Sequence, residues 1–305
     1  MINRFRQSLP ADLVTHVLAM CGEKGEEWLE SLPSIVRELE GEWSIKVQKP
    51  FVAGEFNFVA PAVGKIPDLV VLKISPPFET DEILGEAAYL KAKNGSGAVK
   101  LIAQDIAQRA ILIEHALPGE NLTEYFNDNE PASVEPAIEV LRSILGPPPP
   151  GAGEITTLDK WFDGLRRYQS TKFPADYAKR ALQIYEALSA QPDRMFYLHG
   201  DFHPGNIVSA NREPYLAIDP KGIIGHIGYE IAVYLNNFHW WQEGKADIHS
   251  ILETSIKQFS DAFDIDPVEI RQWAFAQMVM GAWLSFEDMP EYYDNSVAKA
   301  DIWNV

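Results

Sequence analysis

Residues 196–222 read Phe-Tyr-Leu-His199-Gly-Asp201-Phe-His203-Pro-Gly-Asn206-Ile-Val-Ser-Ala-Asn-Arg-Glu-Pro-Tyr-Leu-Ala-Ile-Asp219-Pro-Lys221-Gly222. An aspartate, an asparagine five positions later and a second aspartate closing a new apolar run are the polar groups a phosphoryl-transfer site needs, at the spacing of a kinase catalytic loop followed by a metal-binding aspartate. The migrating group is anionic, so hard oxygen ligands such as Asn206 and Asp219 are needed to hold a divalent cation, with Mg²⁺ the one they suit. A separate carboxylate, Asp201, is the candidate to take or orient the proton of an attacking hydroxyl. The apolar runs 195–198, 207–208 and 215–218 are expected to be short strands that fix these polar ends on a rigid floor.

Other readings of the same residues compete. His199, Asp201 and His203 alternate, so in an extended segment they would share one face and form a hydrolytic metal site, but that leaves Asn206 and Asp219 unexplained. A histidine here is better read as a hydrogen-bonding support for the loop. A turn-forming role for Asp219 before Pro220 does not account for a second acidic strand end so near the first.

The string YLHGDFHPGN followed by LAIDPKG resembles the aminoglycoside phosphotransferase family, kinase-like enzymes whose catalytic loop reads H-G-D-x-x-x-x-N, and IDPKG is similar to its streptomycin and hydroxyurea kinase branch. The resemblance follows the order of the motifs from about Phe51 to Asn237. It implies Asp201 as catalytic base and Asn206 with Asp219 as Mg²⁺ ligands, while His199 is read from the residues as support for the loop. It also implies an α+β, protein-kinase-like fold in two lobes: a small lobe with an antiparallel β-sheet plus a helix, and a large, mainly α-helical lobe.

Composition fits such a protein. The 305 residues suffice for two lobes, and 46% hydrophobic with 23% charged residues is ordinary for a soluble globular chain. The single cysteine, Cys21, precludes an intrachain disulfide and fits a reducing cytoplasm. A net charge of −18 argues against nucleic acid as partner and for a cationic substrate, although acidity for solubility alone reads the same. The apolar run 274–284 is too short to span a bilayer, so no membrane partner is expected.

Along the chain, residues 1–40 read as helices with a break at Gly22–Gly25, forming a cap on the small lobe. From Trp43 the apolar period shortens toward two. Strands are expected at 43–47, 51–53, 55–62, 69–74, 98–102 and 109–115, with one helix between Glu79 and Lys93, which together suggest an antiparallel sheet. Lys73 sits within Leu69-Val-Val-Leu-Lys73-Ile, where an ammonium is costly unless it meets anions. Nucleotide phosphates would supply them, with Glu86 on the next helix as ion-pair partner and Glu82, one turn earlier, as its competitor. An edge-strand lysine reaching solvent is the plain alternative.

No G-x-G-x-x-G lies between the early strands; the turn at 53–57 is the candidate phosphate cover. Residues 111–119 close the sheet. In kinase-like proteins such a segment is the hinge, with backbone groups of the residues matching Glu114 and Ala116 on the adenine edge, which leaves ATP and GTP both open. The expected division is therefore residues 1–116 for the nucleotide-binding lobe and 117–305 for the catalytic and substrate-binding lobe. Helices are expected at 133–145, 158–168, 175–190, 229–238, 248–263 and 267–286, with the polyproline segment 146–151 as a rigid spacer.

Glu230 stands where related kinases place an acidic residue at a helix start, expected to accept backbone N–H bonds from the catalytic loop. Carboxylates Glu287 and Asp288, in a region with several tryptophans, are candidate contacts for a cationic substrate. The sequence thus reads as an ATP- and Mg²⁺-dependent O-phosphotransferase acting on a small-molecule hydroxyl. The resemblance favours an aminoglycoside such as streptomycin; a metabolite kinase and a nucleotide-binding regulator are the rivals.

Overall fold

Period-two patterning and a long amphipathic run give the first half of the chain its layers. The computed structural model describes residues 5–52, 56–65, 69–79, 82–126, 130–149, 155–167, 172–242, 248–288, 296–303 and 305. The chain divides into two compact units, Met1–Gly119 and Glu120–Val305.

The first unit opens with α1 (Ala11–Glu42), followed by β1 (Lys46–Val47), β2 (Phe58–Val63), β3 (Leu69–Ile74), α2 (Glu82–Lys93), β4 (Leu101–Asp105) and β5 (Ala110–Glu114). The five strands form one sheet in the order β1-β2-β3-β5-β4, and every neighbouring pair is antiparallel. Alternation sorts each strand between two faces. Val70, Leu72 and Ile74 of β3, with Ala60 and Ala62 of β2 and Leu112 of β5, join Leu13, Val17, Leu29, Leu32 and Leu39 of α1 in one hydrophobic cluster. The helix therefore covers one face of the sheet, and Lys73, out of phase with that set, belongs to the other.

Several boundaries differ from the sequence expectation. The break at Gly22–Gly25 is a kink inside one helical run, located at Gly22 (φ 54°, ψ −128°), while Gly25 stays buried within the helix. A β-carbon at Gly25 would lie 2.5 Å from the Val17 carbonyl oxygen, so the turns there are held together by a residue with no side chain. The strand expected at 43–47 shrinks to two residues because Trp43 donates its N–H to the Leu39 carbonyl, capping the helix, and Ser44 takes a positive φ of 52°. Phe51 and Val52 are not strand, although the Phe51 N–H still reaches Val59 O at 2.9 Å; most of the expected phosphate cover, residues 53–55, lies outside the described residues. The strand expected at 98–102 slides to 101–105, behind positive-φ Gly95 and Gly97.

The strand β6 (Pro118–Asn121) carries the chain into the second unit, which continues with α3 (Leu122–Phe126), α4 (Glu130–Ile144), α5 (Leu158–Arg166), α6 (Ala175–Leu188), β7 (Met195–Leu198), β8 (Ile207–Ala210), β9 (Tyr215–Ala217), β10 (Ile223–His226), α7 (Ile227–Gln242), α8 (Ile248–Phe263), α9 (Pro267–Asp288) and a 3₁₀ segment, Ser296–Trp303. Helices dominate, and the short strands form a β6-β8-β9 sheet and a β7-β10 ribbon. Trp273 on α9 is fully buried and stacks on His226 at 5.0 Å, while the Trp303 indole donates to Asn236 Oδ1 at 2.9 Å, fixing the 3₁₀ segment to α7. No described helix is long and apolar enough to cross a membrane.

Candidate active site

Strands too short to stand alone carry the polar stretch, and their pairing brings its two ends together. Antiparallel pairing of β8 with β9 aligns Ile207 with Ala217, and pairing of β10 with β7 aligns Ile223 with Leu198. The loops 199–206 and 218–222 are thereby stitched by main-chain bonds. Ile218 N–H donates to Asn206 O at 2.9 Å, and the N–H groups of Lys221 and Gly222 both donate to His199 O, at 2.7 and 3.2 Å.

Gly200 turns the first loop with φ 85°, and a β-carbon there would meet Lys221 Cβ at 3.1 Å and Ile223 Cγ1 at 3.2 Å. Its N–H donates to both carboxylate oxygens of Glu230, at 3.0 and 3.1 Å, from a side chain wholly removed from solvent in the first turn of α7. Asp219 sits at the tip of the second loop with φ 58°, a conformation that aspartate adopts more readily than most side chains.

His199 is fully buried. Its Nδ1 accepts the Asp201 N–H at 3.3 Å, so the proton is on Nε2 and donates to Ile218 O at 2.8 Å. Burial pushes its pKa down to about 4, outweighing the attraction of Asp201 and Asp219, and keeps the ring neutral. With both nitrogens committed to main chain, His199 is no metal ligand, and the hydrolytic-metal reading loses a member of its set.

Asn206 donates through Nδ2 to Asp201 O at 3.0 Å and to Asp201 Oδ2 at 3.4 Å. That orientation leaves the amide oxygen as the acceptor available to a cation. Asp201 keeps 36% of its side chain exposed. Among the described residues no group of three or more His, Cys, Asp or Glu side chains is placed to enclose a metal ion.

Within the first unit, Lys73 Nζ lies 2.7 Å from Glu86 Oε2, with 6% and 5% of the two side chains exposed. Strand β3 is central in the sheet, which removes the edge-strand explanation for this lysine. Glu114 ends β5. Its N–H donates to Lys100 O at 2.9 Å and its carboxylate accepts the Lys100 N–H at 3.0 Å. Ala116 follows just beyond the strand.

Glu287 is exposed on the last turn of α9, and no described contact joins it to Asp201; the side chain of Asp288 lies outside the described residues. Trp273 and Trp283 are core residues. Sequence reading weighed His203 only as a loop support or a metal ligand. Its ring caps the 3₁₀ turn 204–206 by accepting the Gly205 N–H at Nδ1, 3.1 Å away, a role whose one local signal is the Pro-Gly that follows it.

Comparison with known proteins bears on this arrangement. Residues 64–288 match the family described as aminoglycoside/hydroxyurea antibiotic resistance kinase. The chain is similar to streptomycin 6-kinase of Streptomyces glaucescens, with 26% identity over 92% of this chain and 91% of that one. It is similar also to hydroxyurea phosphotransferase of Kitasatospora aureofaciens, with 28% identity over 92% and 81%. Among solved structures, a thermostable mutant of aminoglycoside phosphotransferase APH(4)-Ia, in a ternary complex with AMP-PNP and hygromycin B, superimposes with a TM-score of 0.61 over 90% of this chain and 96% of that one, at 15% identity.

Proposed function

The chain belongs to the aminoglycoside/hydroxyurea antibiotic resistance kinase family, and we propose on that premise that it transfers the γ-phosphate of ATP to a hydroxyl of an aminoglycoside, with streptomycin the favoured acceptor. Relatives at 26–28% identity over most of the chain are named streptomycin 6-kinase and hydroxyurea phosphotransferase, which supports antibiotic rather than protein substrates. The observation that carries the reading is the stitching of the 199–206 loop to the 218–222 loop, with Asn206 Nδ2 3.4 Å from Asp201 Oδ2 and Asp219 following Ile218, whose N–H is bonded to Asn206 O.

In this assignment Asp201 orients the acceptor hydroxyl and takes its proton as the oxygen attacks the γ-phosphorus in line, while the bond from that phosphorus to the β,γ-bridging oxygen breaks and ADP leaves. Asn206 and Asp219 would hold Mg²⁺, whose charge would offset that of the phosphate oxygens. Lys73, steadied by Glu86, meets the nucleotide phosphates. Backbone groups at Glu114 and Ala116 meet the base, and since they recognise it without side chains, GTP is a competing donor. Residues 1–116 serve the nucleotide and 117–305 the chemistry and the acceptor, with Glu287 and Asp288 proposed to attract a cationic substrate to an acidic protein. The setting is the cytoplasm.

The test is phosphorylation of an aminoglycoside panel, streptomycin included, with γ-labelled ATP and Mg²⁺, scored beside resistance in cells expressing the protein. Labelled streptomycin supports the proposal. Label transferred only to a non-antibiotic metabolite would replace it with a metabolite-kinase assignment.

A further inference from the structure

We propose that His203 is a positioning residue for the base, its Nε2–H directed at the Asp201 carboxylate so that both carboxylate oxygens are held. This inference rests on the phosphotransferase reading above. A neutral imidazole has one donor and one acceptor. Nδ1 of His203 is engaged as the acceptor of the Gly205 N–H at 3.1 Å, which assigns the proton to Nε2. That nitrogen lies 3.9 Å from Asp201 Oδ1, while Asn206 Nδ2 lies 3.4 Å from Asp201 Oδ2. Each carboxylate oxygen of Asp201 thus has one donor nitrogen near it, at 3.9 and 3.4 Å, both longer than an ordinary hydrogen bond.

The histidine is itself pinned. It is the cap of the 3₁₀ turn that Pro204 begins, the Asn206 N–H returns to its carbonyl at 2.8 Å, and only 20% of its side chain is exposed. The Gly205 N–H on Nδ1 fixes the tautomer, with the ring proton on Nε2. A base aimed in this way needs no reorientation when the acceptor arrives. Hydrogen bonds that are long in an unloaded site tighten as substrate closes around them, and a misplacement of ~1 Å costs up to ~100-fold in rate.

Two substitutions separate the cap from the aim. Asparagine at this position retains an acceptor for the Gly205 N–H but is too short to reach Asp201, whereas glutamine places an amide N–H near the site of Nε2. With ATP, Mg²⁺ and streptomycin, His203→Asn is expected to lose about 10- to 100-fold in kcat while KM for ATP stays within about twofold and thermal stability is retained. His203→Gln should recover most of that loss. Wild-type kcat in His203→Asn, or equal losses in both variants, would reduce His203 to a turn cap and overturn the proposal.

A second measurement needs no turnover. Imidazole ¹⁵N spectra of the ligand-free protein should show His203 as the Nε2–H tautomer, with its Nε2 signal displaced in Asp201→Asn. The opposite tautomer, or a signal indifferent to that substitution, would overturn the proposal. If the wild type phosphorylates no aminoglycoside, the functional assignment fails and the spectra still decide the His203–Asp201 contact.

Discussion

Lys73 and Glu86 meet 2.7 Å apart with almost none of either side chain exposed, whereas Asp201 keeps over a third of its side chain open to solvent and is surrounded by main-chain bonds. The first region is built from two charges that need each other, because an ion taken out of water costs several kcal/mol unless a partner and hydrogen bonds offset it. The second is built from a backbone that places its side chains and leaves their tips available. Losing a partner in the first should therefore damage the fold, and losing a tip in the second should damage turnover alone. Four experiments press on that contrast.

The largest effect is expected at a loop tip. Asp201→Ala should lower kcat by about 10³- to 10⁴-fold, with ATP affinity and thermal stability near wild type. Turnover within tenfold of wild type would remove Asp201 from the base role.

The buried pair comes next. Lys73→Met leaves Glu86 buried opposite an apolar side chain and should destabilise the protein by about 3–5 kcal/mol in urea unfolding. The double variant Lys73→Met/Glu86→Leu should regain most of that stability and none of the activity. A stable single variant would mean that the pair is far better hydrated than its 6% and 5% exposure implies.

Glu230→Gln probes the join between helix and loop. The amide keeps one oxygen for the Gly200 N–H but turns an NH₂ toward it, so a loss of about 1–3 kcal/mol is expected. A neutral result would show that the loop is held by its other main-chain bonds.

The last test reads pH dependence and needs no substitution. His199 is neutral in the folded protein, with a pKa near 4, and titrates near 6.5 when unfolded, so the unfolded chain binds the extra proton between those values. Stability must then fall as pH falls through that window, by about 2 kcal/mol between pH 7 and pH 5 for this residue alone. His226, also pushed to about 4 by burial with Arg194 adding to the shift, contributes in the same direction. Equal urea midpoints at the two pH values would contradict the burial of these rings.

Much of this was legible because it is local. Asp201, Asn206 and Asp219 lie within 19 residues of one another, and the apolar runs between them announce the strands that set their spacing. The lysine in a strand pattern gave away the need for an anion. Boundaries were less legible where one residue decides them. Gly22 reads as a break in sequence, yet the apolar faces on either side of it pack against the same sheet, so the chain bends and continues as helix. For His203 the sequence favoured a loop support over a metal ligand, and the structure adds the form of that support: Pro204 starts a 3₁₀ turn and the ring caps it.

The sequence by itself determined which chemical groups the site owns and in what order, along with the antiparallel sheet and helices that display them, because hydrophobic period and turn chemistry act over a few residues. The Lys73–Glu86 pair and the acceptor role of Glu230 were expected from the sequence; only the tertiary structure decided that Lys73 occupies the sheet face away from α1, that the pair is buried at 2.7 Å, and that the N–H Glu230 accepts is that of Gly200, 30 positions back. Those placements involve residues far apart along the chain, so they depend on how sheets and helices pack, and no local pattern encodes them.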